Sequence, residues 1–147
     1  MTAFYFSFVH QRAAGDIMRY FRSNYCRDPD FSAVFYGPCH FIPGEYSRFC
    51  RNGRHLEVRQ LACPPPLNQN SHFEHEVAQF YKNPKKFVET DLARLKILPK
   101  YVFLFDFHQE TLSQVLTTYG YEIVQNFFQS HFYPADQSSS IVLYSLH

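Results

Sequence analysis

Tyr101-Val102-Phe103-Leu104-Phe105-Asp106-Phe107 is the stretch on which the fold of this 147-residue chain turns. Only Asp106 interrupts its apolar side chains, so a strand here is buried on both faces, as the central strand of a parallel sheet is. Directly after it, Gln109 to Thr118 reads as a helix ended by Tyr119-Gly120, with glycine at the position that takes a left-handed backbone. Two more strands follow, Tyr121 to Phe128 and Ile141 to Leu146, separated by the polar loop Pro134 to Ser140. Toward the N-terminus, Phe31 to Tyr36 and Leu56 to Leu61 read as strands as well. Ala13 to Tyr25 carries Ile17, Met18, Tyr20 and Phe21 at the mixed three- and four-residue spacing of an amphipathic helix, weakened in its first turn by Gly15. Ser71 with Glu74 signals a capping box for a short helix through Tyr81, and Asn83-Pro84 opens another with proline at its first position. Pro99 ends that region. This order predicts an α/β fold: a single domain with a small mixed, largely parallel sheet of about five strands, flanked by helices and closed by an antiparallel hairpin.

Composition agrees with a domain that buries a sizeable core, since 46% of the residues are hydrophobic. A formal net charge of +1 argues against nucleic acid and against an acidic substrate as partners. The apolar run Met1 to Val9 is far shorter than the roughly 20 residues that cross a bilayer. It also lacks the basic start and small-residue cleavage site of a signal peptide, so on these features alone the chain reads as soluble and cytosolic.

Two strand ends carry the residues with chemistry. The first strand runs into Gly37-Pro38-Cys39-His40-Phe41-Ile42-Pro43-Gly44-Glu45-Tyr46-Ser47, and the second stops on Cys63-Pro64-Pro65-Pro66. Proline fixes φ and removes an amide donor there, which shapes the end of a sheet where pockets form. The four cysteines, Cys26, Cys39, Cys50 and Cys63, show no Cys-x2-Cys knuckle and therefore support a zinc site only weakly. They are otherwise disulfide partners or small buried apolar residues. Cys39 and His40 are adjacent, and neighbours on an extended segment point to opposite faces, which disfavours a thiol–imidazole pair. His72 and His75, with Glu76 beside them, read as a polar helix face and lack the His-Glu-x-x-His zinc motif. Asp106 lies either where α/β sheets hold ligands or as the cap of the helix that begins near Gln109. No glycine-rich phosphate loop and no Gly-x-Ser-x-Gly elbow occurs.

The same turns carry a family resemblance. Pro38-Cys39-His40 followed by Pro43 and Tyr46-Ser47, then Cys63-Pro64-Pro65, resembles the C-terminal lumenal part of the GPI mannosyltransferases of glycosyltransferase family 22 that add the third mannose. Val9-His10-Gln11-Arg12 with Asp16-Ile17-Met18 is similar to the segment after the last membrane helix of that family. Glu74-His75-Glu76-Val77, Phe80-Tyr81-Lys82-Asn83-Pro84 and Leu98-Pro99 extend the resemblance to nearly the whole chain. Gly44-Glu45 and the basic loop Arg48 to Arg54 depart from the pattern.

That resemblance implies that residues 1–9 are the remnant of the lumenal end of a membrane helix, and residues 10–147 a lumenal C-terminal α/β domain. It implies an enzyme of the endoplasmic reticulum membrane, acting on the lumenal side. The reaction would transfer mannose from dolichyl-phosphate-mannose to the GPI precursor glycolipid, with an α-1,2 link, no cofactor and no metal. The carboxylate that takes the acceptor proton sits in the family's first lumenal loop and has no counterpart here, so no catalytic residue is assigned and the chain alone is expected to be inactive. Candidate substrate-binding residues are His10, Gln11 and Arg12 at the membrane surface and Cys39, His40, Tyr46 and Ser47 along a glycan-facing wall. In an oxidising lumen, Cys39 and Cys63 are the first pair expected to bridge, because both lie at strand ends. Two other readings stand beside this one: a non-catalytic glycan- or partner-binding accessory domain, and a soluble cytosolic α/β interaction domain with reduced cysteines.

Overall fold

The computed structural model describes residues 12–38, 41, 50–63, 75–131 and 138–147. In chain order the elements are α1 (Ala13–Tyr25), β1 (Ser32–Tyr36), β2 (Glu57–Gln60), α2 (Glu76–Lys82), α3 (Pro84–Arg94), β3 (Tyr101–Phe105), a 3-10 turn (Asp106–His108), α4 (Gln109–Thr118), β4 (Tyr121–Phe128) and β5 (Ser140–Leu146). The strands form one mixed sheet in the order β2-β1-β3-β5-β4. β2, β1 and β3 run parallel, whereas β5 is antiparallel to both β3 and β4, which makes the expected closing hairpin.

β3 is central and buried along its whole length, because alternate side chains enter two different cores. Tyr101, Phe103 and Phe105 join Ala33, Phe35, Leu143 and the α1 residues Ala13, Ile17, Met18 and Phe21. Val102 and Leu104 join Val34, Tyr36, Phe80 of α2, Val88 and Leu92 of α3, and Leu112, Val115 and Leu116 of α4. The result is a three-layer sandwich with α1 on one face of the sheet and α2 to α4 on the other. Register follows from the pleat: Phe35 lies opposite Phe103 and Leu143 opposite Phe103 on the other side, so one side-chain parity stays with α1 across three strands.

Several local signals act as the sequence suggests. Pro84 opens α3, and the Asn83 side chain accepts a hydrogen bond from Lys86 N at 3.1 Å, capping the helix. α4 ends on Tyr119, followed by Gly120 at φ +88°. Other boundaries differ. β3 stops at Phe105, two residues short of the expected Phe107, because its ladders end at Tyr36–Leu104 and Phe105–Ile141 and leave Asp106 to turn. His75 is the extended residue before α2, so it does not lie on a helix face, while Ser71, His72 and Glu74 fall outside the described residues. At the border of the sheet among the described residues, β4 carries a register shift between Ile123 and Gln125, and Ile123 and Val124 are solvent-exposed there. Cys26 and Cys50 form a disulfide that ties the end of α1 to the turn preceding β2, with 5.8 Å between their Cα atoms. It closes a loop that holds all of β1, which in chain-entropy terms is worth about 3 kcal/mol.

Two glycines test this packing in opposite directions. A Cβ at Gly37 would stand 2.4 Å from Cζ of Phe35, whose ring is wholly buried against Phe41, Phe103 and Phe105. Gly37→Ala is therefore expected to lower stability by about 1–3 kcal/mol. A Cβ at Gly15, inside α1, meets nothing within 4 Å, and Gly15→Ala is expected to raise stability by about 0.5–1 kcal/mol. Urea denaturation of both variants checks the pair; equal effects of one sign would refute the assigned environments.

Candidate functional site at the switch point of the sheet

The strand order changes direction between β1 and β3, and the described residues that follow those two strands pack on opposite faces. After β1, Phe41 and Cys50 pack into the α1-side core, whereas after β3 helix α4 packs into the other. The C-terminal ends of the strands beside such a switch point are the usual ligand position in open α/β sheets. The side chains at this end of the sheet are aromatic: Phe41 lies 5.0 Å from Phe35 and 5.3 Å from Phe105, and Phe105 lies 6.2 Å from Phe107.

Other elements meet at the same edge. Gln129, just past β4 and fully buried, accepts a hydrogen bond from Ala13 N at 3.2 Å, so the end of β4 holds the first turn of α1. Glu76 at the start of α2 accepts one from Ala62 N at 2.8 Å, just beyond β2. Asp106 accepts from Ser139 Oγ at 3.2 Å, across the gap between the end of β3 and the start of β5. It makes no cap to α4, whose preceding residue His108 has no side-chain capping bond. The capping role expected for Asp106 is thus replaced by a tie to the residues before β5, because the 3-10 turn moves its carboxylate away from the first turn of α4.

Of the candidate binding residues, Arg12 is described, and it is committed: its Nε lies 2.7 Å from Asp16 Oδ2 at the mouth of α1. His10, Gln11, Cys39, His40, Tyr46 and Ser47 lie outside the described residues. Cys63 follows β2 on the same edge and is disulfide-bonded; Cys39, its expected partner, lies outside the described residues. The bridge between Cys26 and Cys50 was not among the pairings singled out in the sequence, since four cysteines allow three connectivities. It removes the buried-thiol reading for both residues.

Three polar features escaped sequence reasoning. Tyr36, wholly buried at the end of β1, donates from its hydroxyl to Asp91 Oδ2 at 2.6 Å, and Arg59 of β2 pairs with the same carboxylate. Burial first, and the Asp91 charge second, push the Tyr36 phenol far above its ordinary range, so it is a permanent donor that pins α3 to the sheet. The signal was present: Asp91 stands three residues after Val88 and directly before Leu92, on the stripe that α3 buries. Beside it, a cleft of about 520 Å³ opens along α2 and α3, lined by Glu76, Lys82, Asp91 and Arg94 among others. His108 is the third feature. It is 5% exposed, its Nε2 has no hydrogen-bond partner, and its ring sits against Phe107 at 3.9 Å, Phe80 at 4.8 Å and Tyr81 at 5.6 Å.

These groups hold and orient more readily than they react. Asp91 is engaged by Tyr36 and Arg59, Asp106 by Ser139, and His108 stays neutral because burial pushes its pKa down to about 4 from 6.5. Among the described residues no group of three or more His, Cys, Asp and Glu side chains converges as a metal site would. The depressed histidine gives a pH dependence with a definite sign. Its contribution to stability is complete above the unfolded value of 6.5 and is lost as the pH falls toward about 4, by up to about 3 kcal/mol. His108→Leu should flatten the loss of Tm between those pH values relative to the parent chain; parallel curves would remove His108 as the cause.

Comparison with known proteins covers nearly all of the chain. It is 30% identical to GPI alpha-1,2-mannosyltransferase 3 of Mus musculus over 145 residues, which is 97% of this chain and 26% of that protein. It is also 30% identical to the Bos taurus protein of the same name over 147 residues, covering 98% of this chain and 26% of the relative. GPI mannosyltransferase 3 of Yarrowia lipolytica is 28% identical over 166 residues, covering 99% of this chain and 31% of the relative. No family model matches the chain, and no solved structure matches it. The chain is therefore similar to one part of the GPI mannosyltransferase 3 proteins, and it spans about a quarter of the length of the curated relatives it matches.

Proposed function

We propose that this chain is the C-terminal lumenal portion of a GPI-anchor mannosyltransferase, and that the complete enzyme transfers an α-1,2-linked mannose from dolichyl-phosphate-mannose to the GPI precursor at the endoplasmic reticulum membrane. The observation that carries the reading is the similarity itself, which runs across 97% of this chain but only 26% of the mouse relative. The disulfide between Cys26 and Cys50, and the bonded state of Cys63, support an oxidising compartment. Among the described residues no helix is long and apolar enough to cross a membrane, and this reading assigns the membrane portion and the catalytic carboxylate to the remainder of the enzyme.

The role assigned to this portion is to close one side of the acceptor site. His10, Gln11 and Arg12 lead into α1, Cys39 and His40 follow β1, and Tyr46 and Ser47 follow them in the same connection. What supports a shared location is that the start of α1 and the end of β1 lie on the same edge of the sheet, the one with the switch point. Cys39 and Cys63 would be the second bridge and would tie the two connections that leave β1 and β2.

Three measurements test the reading. An antibody raised against residues 82–96 should detect, in fractionated source cells, a carbonate-resistant band much larger than 17.5 kDa; a soluble band at that mass would overturn it. In the full-length enzyme, His40→Ala and Tyr46→Ala should lower surface GPI-anchored protein at unchanged enzyme level. Normal surface display would take both residues out of the site. Peptide mapping without reductant should recover Cys26 joined to Cys50 and Cys39 joined to Cys63, and a free Cys39 would break the second assignment.

A further inference from the structure

On the side of α1 that faces away from the sheet, a cleft of about 560 Å³ is lined by Arg19, Arg22, Arg27, Arg51, Cys26 and Asn52, together with Ser23. No Asp or Glu lines it. The concentration is local, since the whole chain carries a formal charge of only +1. Arg19 is paired with Asp16, whereas Arg22, Arg27 and Arg51 are exposed and have no ion-pair partner among the described residues. Arg22 can be understood as a cation in the last turn of α1, where it complements the negative end of the helix. That explanation does not extend to Arg51, which comes from a different segment.

The Cys26–Cys50 bridge makes the arrangement more pointed. Arg27 follows one bridged cysteine and Arg51 follows the other, so a covalent link with 5.8 Å between its Cα atoms brings two like charges together. The turn that bears Arg51 is itself fixed, with Cys50 N bonded to Arg54 O at 2.7 Å, Gly53 N to Cys50 O at 2.9 Å, and Arg54 N to Asn52 Oδ1 at 3.1 Å. Holding unpaired guanidinium groups side by side costs free energy, and a bound anion relieves it. Guanidinium is also the group best matched to phosphate, through paired N–H donors of fixed geometry. We infer that this disulfide-clamped arginine cleft binds a phosphate group, either as a free phosphate ester or as the headgroup of an anionic lipid. The inference does not depend on the mannosyltransferase assignment, because it rests on the charges and the bridge alone.

The test uses the oxidised 147-residue chain with two probes. Glycerophosphoethanolamine is titrated in by calorimetry, and phosphatidylcholine vesicles with or without phosphatidylinositol are used in flotation. Arg27→Glu/Arg51→Glu should weaken binding by about tenfold or more. The charge-matched Lys85→Glu/Lys96→Glu, outside the cleft, should leave it unchanged, with circular dichroism confirming that both variants fold. Arginine-dependent binding of the soluble ester identifies a free phosphate ester as the ligand, and arginine-dependent flotation only with phosphatidylinositol identifies a lipid headgroup. Failure of both probes to bind, or equal weakening by the two double variants, would overturn the inference.

Discussion

Everything in this domain depends on β3 being buried on both faces. A strand whose alternate side chains enter different cores must have helices above and below it, and Tyr101 to Phe105 supply large apolar side chains to both sides. That demand orders the rest. α1 answers on one face with Ile17, Met18 and Phe21, and α3 and α4 answer on the other with Val88, Leu92, Leu112 and Leu116. Because β1 and β3 are parallel neighbours, and the described residues that follow them pack on opposite faces, the same strand also sets the switch point at its own C-terminal end. Core and candidate site are thus consequences of one element.

Around that strand the aromatic residues divide the labour. Phe35, Phe41, Phe103 and Phe105 form a continuous contact group that reaches from the middle of the sheet to the C-terminal ends of β1 and β3. At the opposite edge, Tyr25, Phe31 and Tyr101 stack close to the Asp28–Lys100 ion pair. Tyrosines at the boundaries keep polar links: Tyr121 donates to Pro99 O at 2.6 Å, and Tyr36 holds Asp91. A chain without tryptophan fills its interior with many smaller rings, and these two phenol groups fasten a helix and a loop to the sheet.

Much of the architecture was legible in the sequence, for reasons tied to particular residues. The unbroken apolar run at 101–105 and the Asn83-Pro84 start are local signals whose meaning does not depend on partners. The misread positions all depend on partners. Asp106 was ambiguous because its direction is set by where the β5 ladder begins, and Phe107 looked like strand until the ladders on both sides of β3 ended. Asp91 gains its role only when Tyr36 and Arg59 arrive from residues far away in sequence. Cysteine pairing is likewise a property of the folded loops, and nothing in the spacing favours Cys26 with Cys50.

The two borders of the sheet, among the described strands, carry a consequence for how this domain meets other molecules. β4 is distorted by its register shift at Ile123 to Gln125, and β2 is only four residues long, with its Arg59 drawn toward Asp91. Neither offers a long, flat row of free amides and carbonyls for a foreign strand to extend. Growth by edge pairing is thereby discouraged at both sides. Recognition is left to the ends of the strands and to the outer helix surfaces, where side chains, and not backbone ladders, decide what is accepted.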